Sequence, residues 1–155
     1  MNIITMINTA LLLVVIALLI IKTKPSLKKQ STSWVVDSCT LIDGRILEII
    51  NLGFFESRVI VPTIVINELQ MLADGSDSYK RSRARHGLDV LADIKKVKGV
   101  NLKIVDSGDI KGVKVDDYLV EFAKSNNAKL VTLDFNLIKV AIVSGVEVLN
   151  INDLS

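Results

Sequence analysis

Four carboxylates stand where a folded chain could bring them together: Asp37, Glu68, Asp116 and Asp134. Asp37 directly follows the apolar run Trp34-Val35-Val36, and Asp134 directly follows Lys129 to Leu133. Asp116 sits just before a helical pattern that runs from Asp117 to Lys124. Glu68 lies inside another helical pattern, four residues after Ile64 and three before Met71, where it interrupts an apolar stripe. A carboxylate on a packing face is costly unless something compensates it. Singly, each has a plainer account: an Asp at a strand end makes a helix N-cap, and Glu68 can reach water at the rim of its stripe. Jointly the plain account weakens, because clustered carboxylates repel and raise one another's pKa unless a cation joins them. Hard divalent ions such as Mg²⁺ or Mn²⁺ take carboxylate oxygens and waters and leave positions for phosphate. The residues therefore point to metal-dependent chemistry on a phosphate.

Such a cluster needs elements that converge. Short apolar runs predict strands at Trp34–Val36, Arg58–Val61, Leu102–Val105, Lys129–Leu133 and Val146–Leu149. Between them, helical patterns cover Leu41–Asn51, Thr63 (as a cap) to about Leu72, Arg81–Val97, Asp117–Lys124 and Phe135–Val143. Alternation of this kind, with strands apolar on both faces, predicts an α/β fold with a parallel sheet covered on both sides. In open parallel sheets chemistry gathers beyond the carboxyl ends of the strands. Asp37 and Asp134 are at two such ends.

Half of the 155 residues are hydrophobic, and the excess is uneven. Met1 to Ile21 has no charged residue, and Ala10 to Ile21 is an unbroken run of Ala, Leu, Val and Ile. An apolar stretch of about 19 residues just crosses a hydrocarbon core as a helix. No Lys or Arg precedes it and Lys22-Thr23-Lys24-Pro25 follows, so a retained anchor is favoured over a cleaved signal peptide. Lys22, Lys24, Lys28 and Lys29 after the span place the globular part in the cytoplasm. The expected organisation is a single-pass anchor at 1–21, a basic linker at 22–33 and a globular domain at 34–155. Cys39 is the one cysteine, so no internal disulfide framework exists, and it reads as a small buried side chain. His86 reads as a surface residue. The net charge of +2 says little about partners. Tyr79 to His86 is the densest basic run of the globular part, either a grip on phosphates or a solvated helix face. The linker lysines are explained most simply by anionic lipid headgroups.

The segments VVDSCTLIDGRI (Val35 to Ile46), VPTIVINELQ (Val61 to Gln70), KVDDYLVEFAK (Lys114 to Lys124), KLVTLDFNL (Lys129 to Leu137) and VLNINDL (Val148 to Leu154) resemble the PIN domain. The likeness is greatest to the bacterial membrane-bound branch in which a TRAM domain follows. It implies a three-layer α/β/α sandwich preceded here by one transmembrane helix, and a metal-dependent ribonuclease active on single-stranded RNA. Asp37, Glu68, Asp116 and Asp134 match the four family acids and would be the catalytic residues and the ligands of Mg²⁺ or Mn²⁺. Ser38 and Thr132 match small hydroxyl residues that support the cluster, and Asp43 and Asp117 are neighbouring acids without an assigned role. Relatives often pair, which implies a homodimer. Relatives of this branch also carry several spans and continue into TRAM, whereas this sequence shows one span and stops at Ser155. Two other readings are a non-catalytic RNA-binding or protein-interaction module of the same fold and a toxin of a toxin–antitoxin pair. A phosphoacceptor signalling domain fits poorly: Ser38 follows Asp37 where a second acid is needed, and no Lys follows the last strand.

Overall fold

The computed structural model describes residues 2, 12–13, 16, 32–53, 58–108 and 112–154. The chain divides into two units, Met1–Gln30 and Ser31–Ser155. Most of the anchor expected at 1–21 and most of the linker expected at 22–33 lie outside the described residues. Among the described residues no helix is long and apolar enough to cross a membrane.

In the second unit β1 (Ser33–Val36), β2 (Arg58–Pro62), β3 (Asn101–Val105), β4 (Lys129–Val131) and β5 (Val148–Leu149) form one sheet in the order β3-β2-β1-β4-β5. Every pairing is parallel. Val35 lies opposite Ile60 on one side and Leu130 on the other. Val35, Val36, Val59, Val61, Leu130 and Val131 are fully buried, which is why the central strands read as apolar on both faces. Each such side chain contributes roughly 1.5–3 kcal/mol of burial.

The helices are α1 (Ser38–Asp43), α2 (Arg45–Asn51), α3 (Thr63–Ala73), α4 (Ser78–Ile94), α5 (Val115–Ser125) and α6 (Phe135–Val143), with a closing 3₁₀ turn at Ile151–Leu154. The expected α/β fold with a parallel sheet flanked by helices is what the structure shows. Its order matters for function. From β1 the chain steps through β2 to β3 on one side, then crosses to β4 and β5 on the other. The switch point falls between β1 and β4, and the crevice beyond their carboxyl ends is where Asp37 and Asp134 emerge.

Several boundaries differ from the sequence reading. The helix expected over Leu41–Asn51 is two helices, because Gly44 takes the left-handed conformation at φ 85° and its N–H caps Thr40 O. Thr63 is the first residue of α3 and not its cap. Its Oγ1 instead accepts from the Ser107 N–H at 2.9 Å, while Ser107 Oγ accepts from the Ile64 N–H at 3.1 Å. The loop leaving β3 thus supplies the cap, because β3 is the neighbour of β2 in the sheet. Helix α4 begins at Ser78, ahead of its apolar spacing, because the Asp77 carboxylate accepts from the N–H groups of Tyr79 and Lys80. Asp116 lies within the first turn of α5, whose cap is Lys114.

Candidate active site

Asp37 is the residue on which β1 ends and α1 begins. Its backbone N–H continues the β1–β4 ladder by donating to Val131 O at 3.1 Å, so the sheet itself fixes its position. The carboxylate is 5% exposed, and its charge is met by donors on every side. Oδ1 accepts from the Ser38 N–H at 2.6 Å and the Ser38 hydroxyl at 3.4 Å. Oδ2 accepts from the Thr132 hydroxyl and the Cys39 thiol, both at 2.9 Å. Both oxygens of this carboxylate are thus held by protein donors.

Thr132 is fully buried and joins two of the acids: its Oγ1 donates to Asp37 and accepts from the Asp134 N–H at 3.0 Å. Cys39 is half-buried and does more than fill space. Its sulfur lies 3.3 Å from Thr132 Oγ1 and accepts from the Leu133 N–H at 3.2 Å. Burial, and then the charge of Asp37, push its thiol up to about 11, so it stands as a protonated donor. Sequence reading missed this role, because the contacts cross from β1 to β4 over more than ninety residues.

Glu68 is half-buried on α3 and stands in the opposite condition. Ser38 hydrogen-bonds it, but Oε2 is buried with no partner. Burial first, and then the charges of Asp37 and Asp116, hold its carboxyl above the usual carboxylate range. Asp116 is more exposed and is also raised, by partial desolvation and then by Asp37, Asp134 and Asp117. Asp134 caps α6, accepting from the N–H groups of Asn136 and Leu137 at 2.7 and 3.1 Å. Glu68 thus feels the charges of Asp37 and Asp116, and Asp116 those of Asp37 and Asp134, so Asp116 links the acids of the two strand ends. Among the described residues, however, no three His, Cys, Asp or Glu side chains are close enough to enclose an ion as they lie.

Chemically the set suits a hard dication: four carboxylates, a hydroxyl on each side, a thiol kept protonated, and a buried carboxylate oxygen without a donor. Asp43 is not part of it. Its carboxylate pairs with Arg45, which holds it below the usual range and also donates to Asn152 Oδ1 at 2.8 Å. His86 is exposed, as expected, and with Ser78, Arg81, Ser82, Arg85 and Asp89 it lines an open groove along α4. Two cations of the basic run have partners of their own: Arg81 donates to Gly75 O, and Arg83 lies over the Tyr79 ring.

No protein-family model matches the chain. Curated relatives do. It is 44% identical over 122 residues, 78% of its length, to the PIN and TRAM-domain containing protein YacL of Bacillus subtilis. It is likewise 44% identical over 123 residues to a PIN and TRAM-domain containing protein of Synechocystis. The chain spans about a third of the length of these relatives, 33% and 34%. Among solved structures, a domain of a functionally unknown protein from Methanocaldococcus jannaschii superposes with a TM-score of 0.63 at 28% identity, covering 77% of this chain and 90% of that one. The names of the curated relatives describe domains and state no activity.

Proposed function

We propose, from the premise that this chain is a homologue of the PIN and TRAM-domain containing proteins, that it is a divalent-metal-dependent nuclease of single-stranded RNA, held at the cytoplasmic face of a membrane by its N-terminal apolar run. The observation that carries the reading is that Asp37 and Asp116 act on Glu68, and Asp37 and Asp134 on Asp116, while one Glu68 oxygen is buried without a hydrogen-bond partner. Four like charges in one crevice raise the free energy of the protein alone and lower it again when a cation enters.

Asp37 and Asp134 would be the principal holders of Mg²⁺ or Mn²⁺, with Glu68 and Asp116 completing the set. The ion, when bound, supplies Lewis acidity for water activation and offsets charge developing on the phosphate. The chain's own residues do the rest. Thr132 ties the Asp37 carboxylate to the Asp134 backbone, so the two acids keep a fixed spacing across β1 and β4. Ser38 touches both Asp37 and Glu68, and its one hydroxyl proton can be given to only one of the two carboxylates at a time. Lys80 and Arg85, exposed on α4, offer phosphate contacts that give affinity without reading sequence. For the tether, support comes from the apolar run itself: Leu12, Leu13 and Ile16, its described members, are helical with exposed side chains.

The decisive experiment incubates the full chain in detergent with end-labelled single-stranded RNA and Mn²⁺, with and without chelator. Cleavage should disappear with chelator, and Asp37→Asn should slow it by roughly 10³-fold, since a metal-centred contribution amounts to several kcal/mol. Cleavage by Asp37→Asn at the native rate would trace the activity to a contaminant and end the reading. The tether is checked separately: the chain should stay with membranes through alkaline extraction, and its release would remove that part alone.

A further inference from the structure

We propose that Phe135 and Lys139 form a stacking platform for one unpaired base of the RNA strand at the acidic site, next to the scissile phosphate; this rests on the nuclease reading above. Phe135 directly follows Asp134 and opens α6, the helix that Asp134 caps. Its side chain is 67% exposed, although an aromatic ring normally gains free energy from burial. The ring is not loose. Lys139, one turn further on, holds its ammonium 4.2 Å from the ring centroid, the neighbour relation that i,i+4 spacing creates on a helix. A cation at that distance is attracted to the ring face and restrains it. The ammonium stands over one face of the ring, which leaves the opposite face for a flat group, on the residue next to one of the four acids.

A ring beside a cation matches the two parts of a nucleotide, a flat base and a negative phosphate. The usual alternative for anion recognition at a helix start is closed here, because the Asp134 carboxylate already takes the N–H groups of Asn136 and Leu137. The ring and the ammonium are what this position offers. Stacking tolerates any base, since every base has a π-face, but a base inside a duplex is already stacked on its neighbours. The platform thus selects single strands over double strands and leaves sequence unread. Further along α6, Val140, Ile142 and Val143 are also exposed, at 48%, 61% and 88%, so a second copy of the chain is the competing occupant that a test must separate.

The test uses the full chain in detergent, Ca²⁺ in place of Mn²⁺ to hold the complex, and fluorescein-labelled single-stranded oligoribonucleotides read by anisotropy. One probe is intact and others carry a single abasic residue at successive positions. The native chain should lose affinity for one abasic position by roughly 5- to 100-fold, the range for removing one stacked base. Phe135→Ala should bind the intact probe that much more weakly and become blind to the abasic position, whereas Phe135→Trp should keep both properties. Lys139→Gln should weaken every probe alike and flatten the salt dependence. Equal affinity of native and Phe135→Ala chains for intact RNA overturns the platform, and does so even if Asp37→Asn has confirmed the nuclease. Loss of a dimer in Phe135→Ala, with RNA affinity intact, overturns it in favour of a contact between copies. Phe135-dependent binding without any cleavage leaves the platform standing and removes the nuclease reading, and no binding by the native chain removes both.

Discussion

Asp37 and Glu68 are carboxylates in contrary surroundings, one with both oxygens held by donors and the other with a buried oxygen that has no hydrogen-bond partner. The difference sets the pH response. Glu68 is raised in the folded state, chiefly by burial. Stability from such a group is fully present below its unfolded pKa, near 4.5, and is lost as pH rises through the folded value. With chelator present, Glu68→Gln should therefore be more stable than the native chain at pH 7, by about 1 kcal/mol, the scale of one buried unsatisfied group. The gap should close as the pH falls below the unfolded pKa. Thermal unfolding of both chains across that range checks this, and a gap that persists in acid would remove Glu68 as its source. A thiol with a pKa of about 11 should react with iodoacetamide at pH 8 roughly a hundredfold more slowly than a free cysteine, whose pKa is about 8.5. Alkylation at an ordinary rate would mean that Cys39 does not stay on Asp37. At this scale the acids were legible, because a carboxylate after an apolar strand or inside an apolar stripe is visible in a single chain. Cys39 was not, since its partners are brought to it only by the β1–β4 pairing.

Elements were legible where hydrophobic period decides them and obscure where a backbone angle or a distant residue does. All five strands and the cores of the helices follow from apolar spacing, because β1, β2 and β4 are buried on both faces. Gly44 is different. Apolar residues continue on both sides of it at helical spacing, and only its φ of 85° divides α1 from α2. A left-handed residue with a Cβ costs roughly 1–2 kcal/mol, and a Cβ here would lie 2.8 Å from His86 Nε2. The imidazole is exposed and can swing aside, so the backbone strain is the durable part. Gly44→Ala should lose about 1–2 kcal/mol in urea unfolding, and an unchanged midpoint would show that α1 and α2 can join into one helix without harm. The division has a purpose in the fold. Beyond Gly44, Arg45 pairs with Asp43 and reaches Asn152 in the 3₁₀ turn after β5. The segments Val35 to Ile46 and Val148 to Leu154, far apart along the chain, meet in this one contact. The cap of α3 by Ser107 was hidden for the same reason, since it depends on β3 lying beside β2.

At the scale of the molecule a formal charge of +2 hides an uneven distribution, with Asp37 and Asp134 at the ends of β1 and β4 and Lys80, Arg81, Arg83 and Arg85 in the first half of α4. Acids this close should make stability depend on a dication far more than on net charge. A ligand that binds only the folded chain stabilises it by RT ln(1 + [L]/Kd), about 2.7 kcal/mol at a hundred times Kd. Mn²⁺ should therefore raise the unfolding temperature of the full chain progressively with concentration, well beyond the effect of an equal ionic strength of NaCl. Protons compete for the same oxygens. Glu68 and Asp116 both hold protons more tightly than ordinary carboxyls, chiefly through burial, so the Mn²⁺ shift should shrink as the pH falls. Asp37→Asn should lose most of the shift at every pH while keeping its ladder bond to Val131, which is made by the backbone. A Mn²⁺ shift of the same size in native and Asp37→Asn chains would mean that the ion binds elsewhere, and the four acids would then need another account of why the fold collects them at its switch point.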